Sequence, residues 1–224
     1  MRENRKKHRS NRRIELLIAS LALILAATIS TVIAYYTNSE KNNNEFTVGD
    51  NENKIIETFN PPENQENGSN RYLKEVSVQN TGSVDCYVRM YIDFSDSEIM
   101  SYSKLSDDEN LTDTTKFYAA DPSNENSFAN YLNNKTGGKW IYVSAGDDST
   151  LGGYYYYTVP VAPGKFTESL FKWVDTIYNS ATDIRQYEVL VYSETVQICD
   201  ENGNTYSDNA LNPAWKNAWK DFLG

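Results

Sequence analysis

The stretch SVDCYVRMYIDFS, residues 83–95, decides the fold class of this chain. Every second position is apolar, and the positions between them carry charged or tyrosine side chains. The apolar set is Val84, Cys86, Val88, Met90, Ile92 and Phe94, and the alternate set is Asp85, Tyr87, Arg89, Tyr91 and Asp93. Because successive side chains of a strand point to opposite sides, six matches to a period of two predict a β-strand with one buried face.

Further strands are predicted on both sides of this stretch, from short apolar or alternating runs bounded by turn residues. They cover residues 54–59, 71–80, 139–144, 153–159 and 186–199. Residues 71–80 and 83–95 are expected to form a hairpin across the turn at Asn80–Ser83. Pro160–Gly164 predicts a second turn, and the start of 186–199 is too apolar on both faces for an edge strand.

Residues 96–138 interrupt the strand pattern. They are rich in Ser, Asp, Asn and Glu, and they form a polar insertion in the predicted domain. Short helices are predicted within the insertion near 113–119 and 125–134.

The end of the chain predicts a short amphipathic helix. Residues 213–223 begin with proline and space Trp215, Trp219 and Phe222 at four and three, which is typical of one apolar helix face. Residues 54–224 as a whole therefore predict an all-β domain, a jelly roll or β-sandwich, with a polar insertion and a C-terminal helix.

The first 34 residues predict a signal peptide. Residues 1–13 carry seven Lys or Arg, and residues 14–34 are predominantly apolar. A basic segment followed by an apolar segment is typical of a secretory signal peptide. Val32 and Ala34 at positions −3 and −1 place the predicted cleavage before Tyr35. The alternative is an uncleaved membrane anchor, since the uncharged run is long enough to span hydrocarbon.

The charge of the chain excludes a nucleic-acid partner. The whole sequence has 21 basic and 31 acidic residues. Cleavage removes seven basic and two acidic residues, which leaves 14 and 29 and a net charge of −15 on residues 35–224. Because such a chain repels phosphate backbones, we expect no nucleic-acid partner. From the signal peptide we expect a secreted protein, which contacts the membrane only through its uncleaved signal.

Histidine usage argues against an enzyme. The single histidine, His8, lies in the basic segment, so residues 35–224 contain no Ser-His-Asp triad and no HExxH zinc site. We therefore predict no catalytic residue, no metal and no cofactor. The acidic runs at 107–109, 147–148 and 200–201 are interpreted as solvated loops, with calcium binding by one of them as the alternative.

Two further features allow a structural and a functional interpretation. Cys86 and Cys199 are the only cysteines, and in an exported protein they favour a disulfide; the alternative is two small buried apolar side chains. The run Tyr154–Tyr157 predicts alternate packing on the two faces of a strand, with a sugar-stacking surface as the alternative.

Several short motifs, in order, resemble the TasA/camelysin-like matrix proteins of Gram-positive bacteria, which are exported through the dedicated signal peptidase SipW. Near the cleavage point these are Ala34-Tyr35-Tyr36-Thr37 and Asn44-Glu45-Phe46-Thr47-Val48-Gly49. Later blocks resemble the BsaA-type branch: Ile56-Glu57-x-Phe59-x-Pro61, Lys74-x-Val76-x-Val78-x-Asn80-Thr81-Gly82, Tyr87-Val88-Arg89, Gly153–Tyr157, Pro163-Gly164-x-x-Thr167-x-x-Leu170-Phe171 and Ala214-Trp215. Lys165 departs from the acidic or small polar residue expected in the Pro-Gly turn.

The resemblance implies a jelly-roll subunit of biofilm-matrix fibres whose freed N-terminus adds as a strand to the next subunit. Residues 35–53 are then an extended arm, and the candidate donor-strand side chains are Phe46, Val48, Ile55, Ile56 and Phe59. Head-to-tail donation of this kind grows filaments. The partners implied are other copies of the chain and the dedicated signal peptidase, in the extracellular matrix or at the cell surface.

Three alternatives remain open at this point. Residues 35–53 can be a tether while Ile55–Phe59 pairs within its own domain. The chain can instead be a monomeric surface adhesin that binds sugar or host protein through its tyrosine-rich face. Some camelysin-like relatives are described as metallopeptidases, a role that requires metal ligands for which residues 35–224 supply no histidine.

Overall fold

The computed structural model describes residues 50–60, 69–109, 114–178 and 186–224, all within one unit, Gly49–Gly224. The strands in these ranges are β1 (Asn53–Asn60), β2 (Ser69–Asn80), β3 (Cys86–Phe94), β4 (Ser103–Ser106), β5 (Tyr118–Ala119), β6 (Trp140–Val143), β7 (Tyr154–Val161), β8 (Phe171–Ile177) and β9 (Val189–Gln197). The helices are α1 (Ser97–Tyr102), α2 (Phe128–Asn134) and α3 (Ala214–Leu223), with a 3₁₀ turn at Thr114–Lys116.

The strands form two antiparallel sheets that pack face to face. Sheet A has the order β1-β2-β8-β4-β5, and sheet B has the order β6-β7-β3-β9. Their inner faces share one apolar core, to which sheet A contributes Val76, Val78 and Val174 and sheet B contributes Val88 and Met90. The all-β sandwich class is confirmed, while the jelly-roll subtype stays a prediction.

The alternation that predicted β3 is present, but its second face is also covered. Cys86, Val88 and Met90 are fully buried between the sheets, as expected for the apolar face. Tyr87 and Arg89 on the alternate face are buried as well. The cause is α3, which lies against the outer face of sheet B and forms a second apolar cluster there.

The expected hairpin between β2 and β3 is wrong. β2 pairs with β1 and β8, whereas β3 pairs with β7 and β9, so the two strands lie in different sheets. The turn Asn80–Ser83 carries the chain from sheet A to sheet B. Since both strands bury an apolar face, placing them in opposed sheets lets those faces cover each other.

Residues 96–138 are part of the sandwich rather than an insertion outside it. β4 pairs with β8, and β5 pairs with β4, so both strands extend sheet A. Ile99, Leu105 and Phe128 from this segment are fully buried in the shared core. The segment therefore supplies several large side chains to the interior, although most of its residues are polar.

One of the two helices predicted in this segment is confirmed. The helix near 125–134 is α2, which begins after Ser127, whose hydroxyl accepts a hydrogen bond from the backbone N–H of Asn130 at 3.2 Å. The helix near 113–119 is wrong: a single 3₁₀ turn ends at Lys116, because Tyr118 and Ala119 pair with β4.

The turn predicted to begin at Pro160 starts later. β7 continues through Pro160 to Val161, and the turn follows at Gly164, which has φ 72°. β6 pairs with β7 only as far as Tyr157, so the missing N–H of Pro160 is not needed by that neighbour. A glycine at position 164 permits the left-handed backbone that a side chain would strain.

β9 is an edge strand of sheet B, contrary to the sequence expectation. Its apolar start is explained by the inner face, where Val189 is buried in the core and Val191 packs against it, while Tyr192 on the outer face is 55% exposed. An apolar start thus does not show how many strands flank the strand.

The predicted C-terminal helix is confirmed as α3, with Pro213 at the N-cap. Its two tryptophans face sheet B, and the ring centroids of Trp215 and Trp219 lie 5.1 and 5.8 Å from that of Tyr156. Aromatic pairs at such separations add to the stabilisation from buried area. The helix is therefore docked mainly by aromatic packing.

Asp148 in the loop before β7 adds an ionic contact to α3. The ammonium groups of Lys216 and Lys220 each lie 3.3 Å from its Oδ2. Burial acts to raise the pKa of Asp148, but the Leu151 N–H and the two lysines outweigh burial and hold the pKa below its usual range. The carboxylate is therefore ionised at neutral pH and pairs with both lysines.

Candidate functional site

β1 is the edge strand of sheet A and contains three of the five candidate donor-strand side chains. It pairs along its whole length with β2 of the same chain, with Ile55 opposite Val78 and Phe59 opposite Lys74. Ile55 and Ile56 are half-buried, and Phe59 is 55% exposed. β1 thus forms a full ladder with β2 while burying little apolar surface of its own.

The inner side of this strand pair contains a buried charge. Lys74 on β2 is 7% exposed, and its ammonium forms a salt bridge with the carboxylate of Glu57 on β1, whose side chain is 37% exposed. The Phe59 ring lies 5.8 Å from the Lys74 Nζ and packs edge-on against Tyr72, with ring centroids 5.6 Å apart. Glu57 and Phe59, which pair with and cover this ammonium, both lie on β1, so β1 supplies the surroundings of the charge.

The segment before β1 is fixed to the turn Asn80–Ser83, which we call the entry turn. The backbone carbonyl of Glu52 accepts hydrogen bonds from the N–H groups of Thr81 and Gly82, both at 3.1 Å. The Ser83 N–H donates to the Asp50 carbonyl at 2.8 Å. A Cβ at Gly82 would lie 2.1 Å from that carbonyl, so this close approach requires glycine.

The start of β1 also joins the edges of the two sheets. The Asn51 amide donates to the Thr195 carbonyl at 2.9 Å, and the Asn53 amide donates to the Thr195 hydroxyl at 3.3 Å. The Ser193 hydroxyl donates to the Asn53 Oδ1 at 2.5 Å. β1 and β9, the two edge strands on this side of the sandwich, are therefore connected by side-chain hydrogen bonds.

The edge strands β5 and β6 are protected against further pairing. β5 is two residues long. On β6, the Asn133 amide of α2 donates to the Tyr142 carbonyl at 3.0 Å and accepts from the Tyr142 N–H at 2.7 Å. An asparagine side chain thus occupies the position of a neighbouring strand, a recognised way of protecting a sheet edge.

The remaining sequence-predicted residues of the N-terminus lie outside the described residues. These are the cleavage residues Val32, Ala34 and Tyr35 and the candidate donor-strand residues Phe46 and Val48. Within residues 50–60, 69–109, 114–178 and 186–224, no helix combines the length and the apolar character needed to cross a membrane.

The two cysteines are free thiols in the structure, so the favoured disulfide is not formed. Cys86 is fully buried on β3, with its Sγ 3.8 Å from the Val161 carbonyl oxygen. Cys199 lies beyond the end of β9, and its Sγ is 3.6 Å from the Thr205 hydroxyl. The alternative, a small apolar side chain in the core, describes Cys86 well.

We expect thiol titration to detect one reactive cysteine in the native protein and two after unfolding. Burial, and next the charge of Asp85, raises the pKa of Cys86 to about 12, so its thiolate is scarce at neutral pH. The measurement is reaction with an aromatic disulfide reagent before and after guanidinium addition. Cys199→Ser should give no native thiol and one unfolded thiol, whereas no thiols in the unfolded wild type would show that the two cysteines are bonded.

The acidic loops are paired with lysines rather than gathered around a cavity. Asp107 pairs with Lys135 at 2.5 Å, and Asp108 pairs with Lys116 at 2.6 Å. Asp200 instead accepts hydrogen bonds from its own loop, including the Asn204 N–H at 2.8 Å. In the part of the chain that the structure describes, no three His, Cys, Asp or Glu side chains are grouped so that they could hold a metal ion.

The tyrosine run on β7 is structural, as the strand interpretation predicted. Tyr155 and Tyr157 are buried in the core between the sheets, and Tyr156 is buried under α3. The Tyr156 hydroxyl donates to the Leu151 carbonyl at 2.7 Å. Only Tyr154 keeps partial exposure, so the run as a whole is not a sugar-binding surface.

Sequence reasoning missed three features of this region: the Lys74–Glu57 pair, the Asn133 amide on β6 and the burial of Arg89 under α3. Each depends on how separate secondary-structure elements pack against one another, for which a single sequence carries no local signal.

Comparison with protein-family models found no match, and neither did comparison with the curated proteins.

Proposed function

We propose that this chain is an extracellular structural subunit that assembles head to tail into matrix fibres by exchanging its first strand between copies. The observation that carries the proposal is β1, an edge strand with little buried surface whose partner strand nevertheless needs it. The predicted signal peptide and the resemblance of the ordered motifs to TasA/camelysin-like matrix proteins support the location and the role.

The energetics of β1 are suited to exchange. A fully buried Ile or Phe side chain contributes about 1.5–3 kcal/mol, but here Ile55 and Ile56 are half-buried and Phe59 is mostly exposed. Releasing β1 therefore sacrifices less apolar burial than releasing a central strand. A vacant β2 edge leaves the backbone groups of its ladder with β1 unpaired, so a second copy's β1 is the natural replacement.

Exchange of this kind is close to neutral in contact energy. The same ladder, the same Glu57–Lys74 pair and the same entry-turn hydrogen bonds form whether β1 belongs to one copy or to the next. Residues 35–49 of the donor travel with the strand, and Phe46 and Val48 can add contacts that are made only between copies. Those extra contacts would make the polymer more stable than the monomer that keeps its own β1.

The other three edges are less suited to strand addition. β5 is short, and the Asn133 amide occupies the pairing positions at Tyr142 on β6. On β9, the Asn51 amide of the same chain occupies the Thr195 carbonyl. Head-to-tail exchange through β1 gives each copy one donated strand and one accepting edge and extends into filaments, whereas reciprocal exchange would close a dimer.

A cysteine pair that locks β1 to its own β2 tests the proposal. Thr58 and Glu75 are directly opposite in register, and both side chains lie on the face turned away from the core. In a Cys199→Ser background, residues 35–224 carrying Thr58→Cys and Glu75→Cys should remain monomeric when oxidised. The reduced form should assemble like the wild type, as followed by size exclusion and electron microscopy.

The design contains its own controls. The reduced protein carries the same substitutions, so it controls for the loss of the Glu75 contacts, and the single Thr58→Cys variant controls for oxidation itself. Polymers from the oxidised double variant at the wild-type rate would refute exchange of β1. If the wild-type protein stays monomeric, self-assembly itself is refuted, and the alternative of a monomeric surface adhesin gains support.

A further inference from the structure

Three tyrosines form a row across the outer face of sheet B beside α3. Tyr91 on β3 is opposite Tyr192 on β9 in register, and the β3–β7 register brings Tyr154 to its other side. The centroid of the Tyr91 ring lies 5.6 Å from that of Tyr154 and 6.3 Å from that of Tyr192. We call these three side chains the tyrosine row; it crosses three neighbouring strands on a rigid sheet.

The outer part of the row is open to solvent. Tyr91 is 37% exposed and Tyr192 is 55% exposed, while Tyr154 is half-buried. Most other aromatic residues of this face, such as Tyr87 and Tyr156, are covered by α3. The row is thus the part of an aromatic sheet face that the helix leaves uncovered.

Arg89 supports the row from within. Its guanidinium carbon lies 4.0 Å from the Tyr154 ring centroid and 4.5 Å from that of Trp219, so the cation is held between the two rings. The Arg89 Nε donates to the Glu194 Oε2 at 2.6 Å. This pair fixes the Tyr154 ring and neutralises the arginine, so the row presents rigid rings without a free cation.

The polar groups next to the row are carboxylates and phenols. Asp93 is two residues from Tyr91 on β3, and Glu194 is two residues from Tyr192 on β9, so both lie on the same face as the row. Burial, and then the charge of Asp93, raises the pKa of Tyr91, which keeps its hydroxyl protonated as a donor. The surroundings therefore offer hydrogen-bond acceptors and donors but repel anions.

We propose that the tyrosine row binds a neutral polysaccharide, whose sugar rings stack on the exposed aromatic faces. The electron-rich faces of the rings attract the polarised C–H groups of a sugar, and the flanking carboxylates accept hydrogen bonds from its hydroxyls. The acidic surroundings and the paired arginine exclude an anionic polymer. The inference is independent of strand exchange, because none of the row residues lies on β1 or β2.

A protein partner fits this surface less well. A stable protein interface buries about 800 Å² on each partner, and its centre is depleted in charge. Two partly exposed rings flanked by two carboxylates supply far less apolar area than that. An extended chain of hydroxylated rings needs only a narrow rigid row, which is what the three strands present.

The test is affinity electrophoresis of the full-length chain in native gels containing a neutral mixed-linkage β-glucan, a neutral galactomannan or anionic alginate. We expect retardation by at least one neutral polymer. Tyr192→Ala should weaken that binding about tenfold, which corresponds to about 1.4 kcal/mol, and Tyr91→Ala should weaken it similarly. Tyr192→Phe keeps the ring and should bind nearly as well as the wild type.

Phe166→Ala is the matched control, because Phe166 is 53% exposed but lies in a turn beside sheet A and should leave binding unchanged. Near-ultraviolet circular dichroism verifies that each variant is folded. The proposal is overturned if no neutral polymer retards the wild type, if Tyr192→Ala binds like the wild type, or if alginate binds more tightly. If Tyr192→Ala changes self-association but leaves glucan binding unchanged, the tyrosine row is a protein contact. That result would also overturn the proposal.

Discussion

Replacing Trp219 with alanine is expected to lower the free energy of unfolding by about 3–5 kcal/mol, the range for removal of a buried aromatic side chain. Trp219 is fully buried between α3 and sheet B, with its ring 5.8 Å from that of Tyr156 and 4.5 Å from the Arg89 guanidinium carbon. Its loss opens a cavity and exposes the aromatic face of sheet B. The ionic contacts of the helix with Asp148 do not fill this cavity, so they cannot compensate for the lost ring.

Guanidinium unfolding followed by far-ultraviolet circular dichroism measures this effect. Phe222→Ala is the matched control, because that ring lies on the same helix but is mostly exposed, and we expect it to cost less than 1 kcal/mol. Trp219→Phe should retain part of the stability, since the Trp219 Nε1 has no hydrogen-bond partner to lose. Equal stability of Trp219→Ala and Phe222→Ala would show that α3 is not docked on sheet B in solution.

Strand positions were predictable wherever a local pattern specified one face. The period-two alternation of residues 83–95 identified β3, and short apolar or alternating runs bounded by turn residues identified β1, β2, β6, β7 and most of β9. Pairing was less accessible, because a turn signal such as Asn80–Ser83 shows that the chain reverses but not which sheet it enters. The β2–β3 hairpin failed for this reason.

Composition concealed the contribution of residues 96–138 to the core. In that segment a few large side chains, among them Ile99, Leu105 and Phe128, fill the interior, and the polar residues between them dominate any average. β9 was misjudged in the opposite direction: its apolar start reflects burial of its inner face, which is independent of whether the strand has neighbours on both sides.

The candidate site was only partly accessible from sequence. The spacing of Ile55, Ile56 and Phe59 marked β1 as a strand with apolar positions, but not how shallowly these would be buried. The Glu57–Lys74 pair requires knowledge that β1 and β2 are antiparallel with Phe59 opposite Lys74. The tyrosine row likewise combines residues from three strands that are far apart in the chain.

Asn80→Ala is expected to destabilise the protein by about 2–4 kcal/mol, although it removes only a small polar side chain. Asn80 is fully buried, and its Nδ2 donates to the carbonyls of Val84 at 2.8 Å and Val161 at 2.7 Å. Its Oδ1 accepts from the Gly82 N–H at 2.9 Å. One amide thus joins the end of β2, the entry turn and the end of β7, and its removal leaves buried polar groups unpaired at about 1–3 kcal/mol each.

Asn80→Asp sharpens this prediction, because the two side chains have nearly the same shape. The aspartate can still accept from Gly82, but it has no N–H for the two carbonyls, and it places a negative charge against them. We therefore expect Asn80→Asp to be at least as destabilising as Asn80→Ala in guanidinium unfolding. Gln79→Ala, at the adjacent half-buried position, is the control and should change stability by less than about 1 kcal/mol. If Asn80→Asp were as stable as the wild type, the amide donors would not hold the three segments together, and the entry turn would depend on its backbone hydrogen bonds alone.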